Sequence, residues 1–182
     1  MPYSFVDLLV AVRKDPVMVT QQLCRMRLLA IDPGETTGIA LFLNIQPVNQ
    51  FELKPRQVSG VIEPVASLAD QIASTLNRYR EIDVIILEDY RVYKWRAKQH
   101  TWSDLHTPRL IGAIEYIASK EKIPIIKQPA HVAKQFCTDD KLKHWGMYIS
   151  GLKHARDAVR HGCYYLLFNK EILKHVPKTV NI

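Results

Sequence analysis

Residues 28–42, with the sequence LLAIDPGETTGIALF, hold two apolar runs separated by a short turn. The first run has strand character and ends in Asp32. Pro33 and Gly34 then break the strand, and the second run follows at once. This pattern predicts two strands of a hairpin, with Asp32 on the last residue of the first. A carboxylate on a rigid strand beside a turn of small residues suits metal or phosphate chemistry. The alternative is an Asp that opens an Asp-Pro-Gly turn for backbone reasons alone.

The composition favours a soluble protein with a polyanionic partner. The chain has 182 residues, of which 47% are hydrophobic and 9% aromatic, which fits one globular domain and not a disordered chain. Lys and Arg number 25 against 18 Asp and Glu, a net charge of +7. This excess favours nucleic acid as the partner, with an anionic membrane surface as the alternative. Cys24, Cys137 and Cys163 form no CxxC pair, so neither a zinc knuckle nor a disulfide framework is predicted.

The apolar runs are too short for a membrane protein. None approaches the roughly 18 residues that are needed to span a bilayer. The N-terminus does not read as a secretory signal, because Asp7 interrupts its short apolar stretch and no basic segment precedes it. We therefore expect a cytoplasmic protein with no membrane partner.

Residues 1–25 predict a helical extension that precedes one domain over residues 26–182. From residue 28 the hydrophobic pattern predicts three strands, a helix, a strand, a helix, a strand and further helices. The predicted strands are 28–32, 39–43, 58–62, 82–87 and 123–127. One predicted helix starts at Pro64, and the others cover 110–118, 129–136 and 154–169, with a loop over 138–151. Three antiparallel strands followed by alternating helices and strands predict an α/β fold, a mixed sheet with helices on both faces.

Acidic residues follow both the first and the fourth predicted strand. Asp32 ends the first, and Glu88 comes directly after the apolar run of the fourth. If these strands are parallel neighbours, both acids project at the same edge of the sheet, where open α/β sheets bind ligands. Asp89 competes with Glu88 for the role, and we favour Glu88 because its place corresponds to that of Asp32.

The last predicted helix adds a second pair of candidates. His154 and Asp157 are three residues apart, so they share one helical face and could meet Asp32 and Glu88 above the sheet. Asp157 could instead be an acid favoured by the helix dipole, and His154 a polar residue at the helix N-terminus. His161 lies four residues after Asp157 and could support it, or could be purely structural.

A cluster of three carboxylates and one imidazole is unfavourable unless cations neutralise it. Oxygen-rich ligands with few nitrogens suit Mg²⁺ or Mn²⁺ better than a structural zinc. Two such ions about 4 Å apart could activate a water and stabilise the leaving 3′ oxygen of a phosphodiester. We therefore predict a two-ion metal site made of Asp32, Glu88, His154 and Asp157, with no organic cofactor.

Two segments predict contacts to nucleic acid, since cations can hold phosphates while aromatic rings stack on unpaired bases. The first segment follows Glu88 and interleaves both kinds of side chain, with Tyr93, Lys94, Trp95, Arg96 and Lys98 as candidates. The second precedes the last helix and offers Lys134, Lys141, Lys143 and Lys153. Any of the rings could instead pack a loop onto the core, and any of the lysines could simply be solvated.

In chain order, Asp32-Pro33-Gly34, the run that ends in Glu88, and His154-x-x-Asp157-Ala158 resemble the RuvC-type Holliday junction resolvases. The resemblance covers residues 27–168 and is strongest to the phage-encoded branch of that family. It implies a ribonuclease H-like fold, which has the element order predicted above. It also implies that Asp32, Glu88, His154 and Asp157 are the metal-binding catalytic set. In the family, a residue after the second acid pries at the junction centre, and Tyr93 and Trp95 are both candidates.

These patterns predict a metal-dependent endonuclease that cuts branched DNA, with four-way junctions as the leading substrate. Such an enzyme is a crossover junction endodeoxyribonuclease of DNA recombination and repair, and paired incision predicts a homodimer. The alternatives are a less selective nuclease on forks, flaps or RNA–DNA hybrids, and a junction-binding protein without catalysis. A nucleotide-binding domain of the actin and sugar-kinase type is disfavoured, because it needs a second domain copy and a second glycine-rich loop.

Overall fold

The computed structural model describes residues 3–56, 63–90 and 106–176, which form a five-stranded mixed sheet flanked by helices. The strands are β1 (Leu28–Asp32), β2 (Thr37–Leu43), β3 (Gln46–Leu53), β4 (Val84–Asp89) and β5 (Ile125–Pro129). The α-helices are α1 (Phe5–Arg13), α2 (Pro64–Arg78), α3 (His106–Lys120), α4 (Ala130–Phe136), α5 (Asp139–His144) and α6 (Lys153–Phe168). None of the helices described here combines the length and the apolar character that crossing a bilayer requires.

The strand order is β3-β2-β1-β4-β5. β1 pairs with β2, and β2 with β3, in antiparallel fashion, whereas β1 pairs with β4, and β4 with β5, in parallel. The predicted mixed sheet is therefore confirmed. The expected parallel pairing of the first strand with the strand that carries Glu88 is also found, because Leu28 lies opposite Val84 and Ile31 opposite Leu87.

The third strand of the sheet is not the one predicted. It covers Gln46–Leu53, whereas the predicted strand over 58–62 lies outside the described residues. β3 is an edge strand, half-buried along most of its length, and it contains Pro47, so it lacks the apolar run that marks a central strand. The turn before it needs two residues with positive φ, Asn44 at 51° and Ile45 at 58°, as tight hairpins do.

The predicted loop over 138–151 contains a short helix, α5, so that part of the prediction is wrong. The Thr138 side chain caps this helix by accepting from the backbone N–H of Lys141. Asp139 and Asp140 follow in the first turn, where negative charge is favourable. The sequence signal was therefore an N-cap, which a search for apolar periodicity overlooks.

Two hydrophobic clusters lie on opposite faces of the sheet. Leu28 and Ala30 belong to one cluster, while Leu29 and Ile31 belong to the other, because successive side chains of a strand point to opposite faces. The first cluster includes α1 and α6, and the second includes α2 and α3. A strand that is buried on both faces reads as a continuous apolar run, which explains why β1 and β4 were predictable.

Residues 5–25 pack on the same core as α6. Ser4 and Asp7 form a capping box at the start of α1, and Phe5 and Leu9 are buried in the first cluster. The Arg13 guanidinium donates to the carbonyl oxygens at the end of α6, which are those of Tyr165 (3.1 Å), Leu166 (2.8 Å) and Asn169 (2.7 Å). The Tyr165 carbonyl also accepts from the backbone N–H of Asn169, whereas Leu166 and Asn169 lie at the helix end, where carbonyl groups lack helical donors. The N-terminal helix thus caps the end of α6 through Arg13.

Gly38 lets the first turn of α6 lie directly against the sheet. Gly38 pairs with Asp32 across β1 and β2. A Cβ atom at this position would lie 2.0 Å from the carbonyl oxygen of His154 and 2.1 Å from its carbonyl carbon. Only glycine permits this approach, which places His154 beside Asp32.

Candidate active site

A cleft of about 600 Å³ opens where β1 and β4 end. Asp32 is the last residue of β1 and Glu88 is the fifth of the six residues of β4, and both line this cleft. The two strands are parallel, so the two acids emerge at one edge of the sheet. Asp32 is only 5% exposed, and the Glu88 side chain is 17% exposed. The structure thus brings these two predicted site residues together.

α6 brings the other two predicted residues into the same cleft. The His154 Nδ1 atom lies 2.9 Å from Oδ2 of Asp32. The backbone N–H of His154 donates to Oε1 of Glu52 on β3 at 2.8 Å, which fixes the start of α6 to the sheet. Asp157 follows one turn later and is buried. The i, i+3 spacing therefore directs both side chains to the sheet edge, as predicted.

Lys134 joins two of the acids. Its Nζ atom lies 3.1 Å from Oε2 of Glu88 and 3.2 Å from Oδ2 of Asp157. The sequence prediction placed Lys134 among the residues that contact DNA, and the structure places its ammonium group inside the acidic cluster. α4 starts directly after β5, the neighbour of β4, and this connection carries Lys134 to the cluster.

Two further residues of α6, Arg160 and His161, contact the acids. Arg160 donates to Oδ1 of Asp157 and to Oδ1 of Asp139, and its Nε donates to the Cys137 carbonyl at 2.9 Å. His161 is fully buried, and its Nε2 lies 2.8 Å from Oε2 of Glu88. Sequence reasoning missed the role of Arg160, although its i, i+3 spacing from Asp157 is a signal for such a pair.

The burial and the charges of the cluster shift the pKa values of its members. Burial, followed by the nearby charge of Glu88, raises the pKa of Asp32 to about 8. Burial alone would raise the pKa of Glu88, but the hydrogen bond and charge of His161, together with Lys134, lower it to about 2. Burial disfavours the charged form of Lys134, yet the three carboxylates outweigh it and raise its pKa. Burial and the charge of Glu88 thus favour the protonated form of Asp32, while His161 and Lys134 favour the ionised form of Glu88.

The donor set fits a hard divalent cation. Three carboxylates and one imidazole are ligands that Mg²⁺ and Mn²⁺ accept. Burial, followed by the charge of Glu88, raises the pKa of Asp32, and a bound cation would favour its ionised form. Within residues 3–56, 63–90 and 106–176, no three His, Cys, Asp or Glu side chains stand ready to hold a metal ion together. Lys134 instead contacts Glu88 and Asp157. Metal binding would therefore require Lys134 or the acids to rearrange.

The raised pKa of Asp32 predicts that the stability of the metal-free protein depends on pH. Because burial raises its folded pKa from 3.8 to about 8, the folded state binds more protons than the unfolded state between these values. The contribution of Asp32 to stability is thus fully present below about pH 4 and is lost as the pH rises through about 8. In chelator, we expect the Tm of Asp32→Asn to rise relative to wild type between pH 6 and 9. Thermal denaturation measures this, and a pH-independent difference in Tm would contradict it.

The predicted DNA-contacting residues fall into three groups. Lys153 lines the cleft, as Lys134 does. Lys141 donates to the Phe136 carbonyl at 2.8 Å, and the Nζ of Lys143 lies 4.0 Å from Oδ1 of Asp140. The candidates in the segment after Glu88 lie outside the described residues; they are Tyr93, Lys94, Trp95, Arg96 and Lys98.

The fold is similar to that of RuvC from Thermus thermophilus. One RuvC structure, in complex with a Holliday junction substrate, aligns with a TM-score of 0.61 and 15% identity over 78% of this chain and 93% of that chain. A second structure of Thermus thermophilus RuvC aligns with a TM-score of 0.60 and 14% identity over 83% and 98%. No protein-family model and no curated protein matches the sequence. The predicted ribonuclease H-like fold is therefore confirmed.

Proposed function

We propose that this protein is a metal-dependent endonuclease that cleaves branched DNA, with four-way junctions as its main substrate. The observation that carries the proposal is the cleft in which Asp32, Glu88, His154 and Asp157 converge at one sheet edge. The fold supports it, because it is that of RuvC, and one of the RuvC structures contains a Holliday junction substrate. The activity would be that of a crossover junction endodeoxyribonuclease, in the RuvC-type family and its phage-encoded branch.

In this proposal the acids bind the metal and His154 handles a proton. Asp32, Glu88 and Asp157 would hold two Mg²⁺ or Mn²⁺ ions, which supply an activated water and stabilise the leaving 3′ oxygen. His154 either completes the coordination or accepts a proton from the attacking water. Its side chain is 40% exposed, so it can reach a bound phosphodiester, whereas Asp157 is buried. Asp32 must lose its proton to bind a cation, and the cation itself favours that loss.

Basic residues would hold the DNA across the cleft. Lys153 and Lys134 both line the cleft, and Lys153 is the more exposed of the two. We propose that these two, with Lys141 and Lys143, contact backbone phosphates, and that Tyr93 or Trp95 acts at the junction centre. Paired incision of a four-way junction requires two active sites related by two-fold symmetry, so we propose a homodimer.

A cleavage assay on matched substrates tests the proposal. A mobile four-way junction, a replication fork, a flap and a linear duplex of the same arm sequences are each incubated with Mg²⁺, Mn²⁺ or chelator. We expect paired nicks in the junction, slower cutting of the other substrates, and no cutting in chelator. Equal rates on all substrates would indicate a less selective nuclease, and tight junction binding without cutting would indicate a binding protein.

A further inference from the structure

We propose that His161, anchored by Gln128, is a positioning residue that holds the Glu88 carboxylate in the orientation needed to bind a divalent cation. The inference rests on the proposed function only for its catalytic consequence. His161 is fully buried, so it cannot contact DNA and acts through Glu88. The Nε2 atom of its ring lies 2.8 Å from Oε2 of Glu88, and its Nδ1 atom lies 3.0 Å from Oε1 of Gln128.

The sheet register explains why these three side chains meet. Glu88 on β4 lies directly opposite Gln128 on β5, so both side chains point to the same face of the sheet. α6 packs on that face and inserts His161 between them. The ring thereby bridges two neighbouring strands at the point where β4 delivers its acid.

The chemistry of the three groups fixes the direction of the Glu88 hydrogen bond. An ionised carboxylate can only accept, so Nε2 of His161 carries the proton that it shares with Glu88. A side-chain amide can present either its oxygen or its NH₂ group, so Gln128 can pair with Nδ1 in either protonation state of the ring. Gln128 is only 6% exposed, and the contact fixes the plane of the imidazole.

This support differs from that of the other two acids. Asp32 contacts His154, which is partly exposed and lies in the cleft, and Asp157 contacts Arg160, whose permanent charge pairs with it. Glu88 is held by the imidazole of His161 in the protein interior and by Lys134, which it shares with Asp157. A carboxylate that a fixed partner already orients loses less conformational entropy when it binds a cation. Loss of such a partner typically lowers metal affinity 10–100-fold.

The test measures Mn²⁺ binding to the full-length protein by isothermal titration calorimetry and by electron paramagnetic resonance. For His161→Leu we expect Mn²⁺ affinity to fall 10–100-fold, since the partner of a ligand carboxylate is lost. We expect His161→Gln to recover most of it, because the glutamine amide can donate from about the position of Nε2. Gln128→Leu leaves the imidazole in place without its anchor, and should show an intermediate loss. It also replaces His161→Leu as the test if that variant does not fold.

Cys163→Ala is the matched control. Cys163 is equally buried on the same helix, but it contacts Met147 and not the acids. Mn²⁺ affinity should be unchanged in this variant. The inference would be overturned if folded His161→Leu, or folded Gln128→Leu where the first variant does not fold, bound Mn²⁺ with wild-type affinity. It would also be overturned if His161→Gln bound Mn²⁺ no better than His161→Leu. A wild-type protein that binds no Mn²⁺ would overturn it as well.

The two proposals fail in different ways. Junction cleavage by the wild type with unchanged Mn²⁺ affinity in the His161 variants would leave the nuclease standing and remove the positioning role. A wild type that cuts none of the DNA substrates, while His161→Leu still weakens Mn²⁺ binding and His161→Gln restores it, would support the positioning role and remove the nuclease.

Discussion

Replacing Asp32 by Asn is expected to abolish cleavage of a four-way junction while leaving junction binding intact. Asp32 ends β1 at the centre of the acidic cluster, where it contacts His154. Burial there, followed by the charge of the nearby Glu88, raises its pKa. Asn has almost the same shape but cannot supply a charged oxygen to a cation. The loss should exceed about 100-fold, because removing even an outer partner of a metal ligand typically costs 10–100-fold.

Single-turnover cleavage and gel-shift binding on the same junction would measure the two effects separately. Binding should survive, since the phosphate contacts proposed above come from lysines and not from the acid. Asp70→Asn is a suitable control, because Asp70 is an exposed acid on α2, and we expect it to cut at the wild-type rate. Cleavage by Asp32→Asn at a rate near that of wild type would exclude the two-metal assignment. Cleavage by Asp32→Asn in chelator would exclude any role for the cation.

The part of the site that was predictable from the sequence comes from elements with strong local patterns. β1 and β4 are buried on both faces, so their apolar runs reveal where each strand ends and which acid follows. His154 and Asp157 are linked by helical spacing alone. These signals locate the four cluster residues without any knowledge of distant contacts.

The rest depends on contacts between elements that no local pattern encodes. Lys134 reaches Glu88 and Asp157 because β5 lies beside β4 and α4 follows β5, which is a fact of topology. The helical spacing of His161 indicates its face, but its partner Glu88 follows only from the packing of α6 on the sheet. β3 went unrecognised because an edge strand with a proline and mixed polarity has no distinctive period.

Replacing Gly38 by Ala is expected to destabilise the fold and disrupt the site together. The new Cβ would lie 2.0 Å from the His154 carbonyl oxygen and 2.6 Å from the backbone nitrogen of Ala155. These are backbone atoms, which cannot rotate away as a side chain can, so β2 and the start of α6 must separate. Overpacking typically costs about 1–3 kcal/mol, and a clash with backbone places this variant at or above the upper end.

The same separation would move His154 away from Asp32, so Gly38→Ala should lose cleavage even at temperatures where it remains folded. Gly112→Ala on α3 is the control, because a Cβ there meets nothing within 4 Å. Ala is favoured over Gly inside a helix by up to about 1 kcal/mol, so the control should be as stable as wild type or more so. Urea denaturation gives the two stabilities, and the junction assay gives the activities. Wild-type stability and cleavage in Gly38→Ala would show that α6 does not depend on this close approach to hold His154 at the sheet edge.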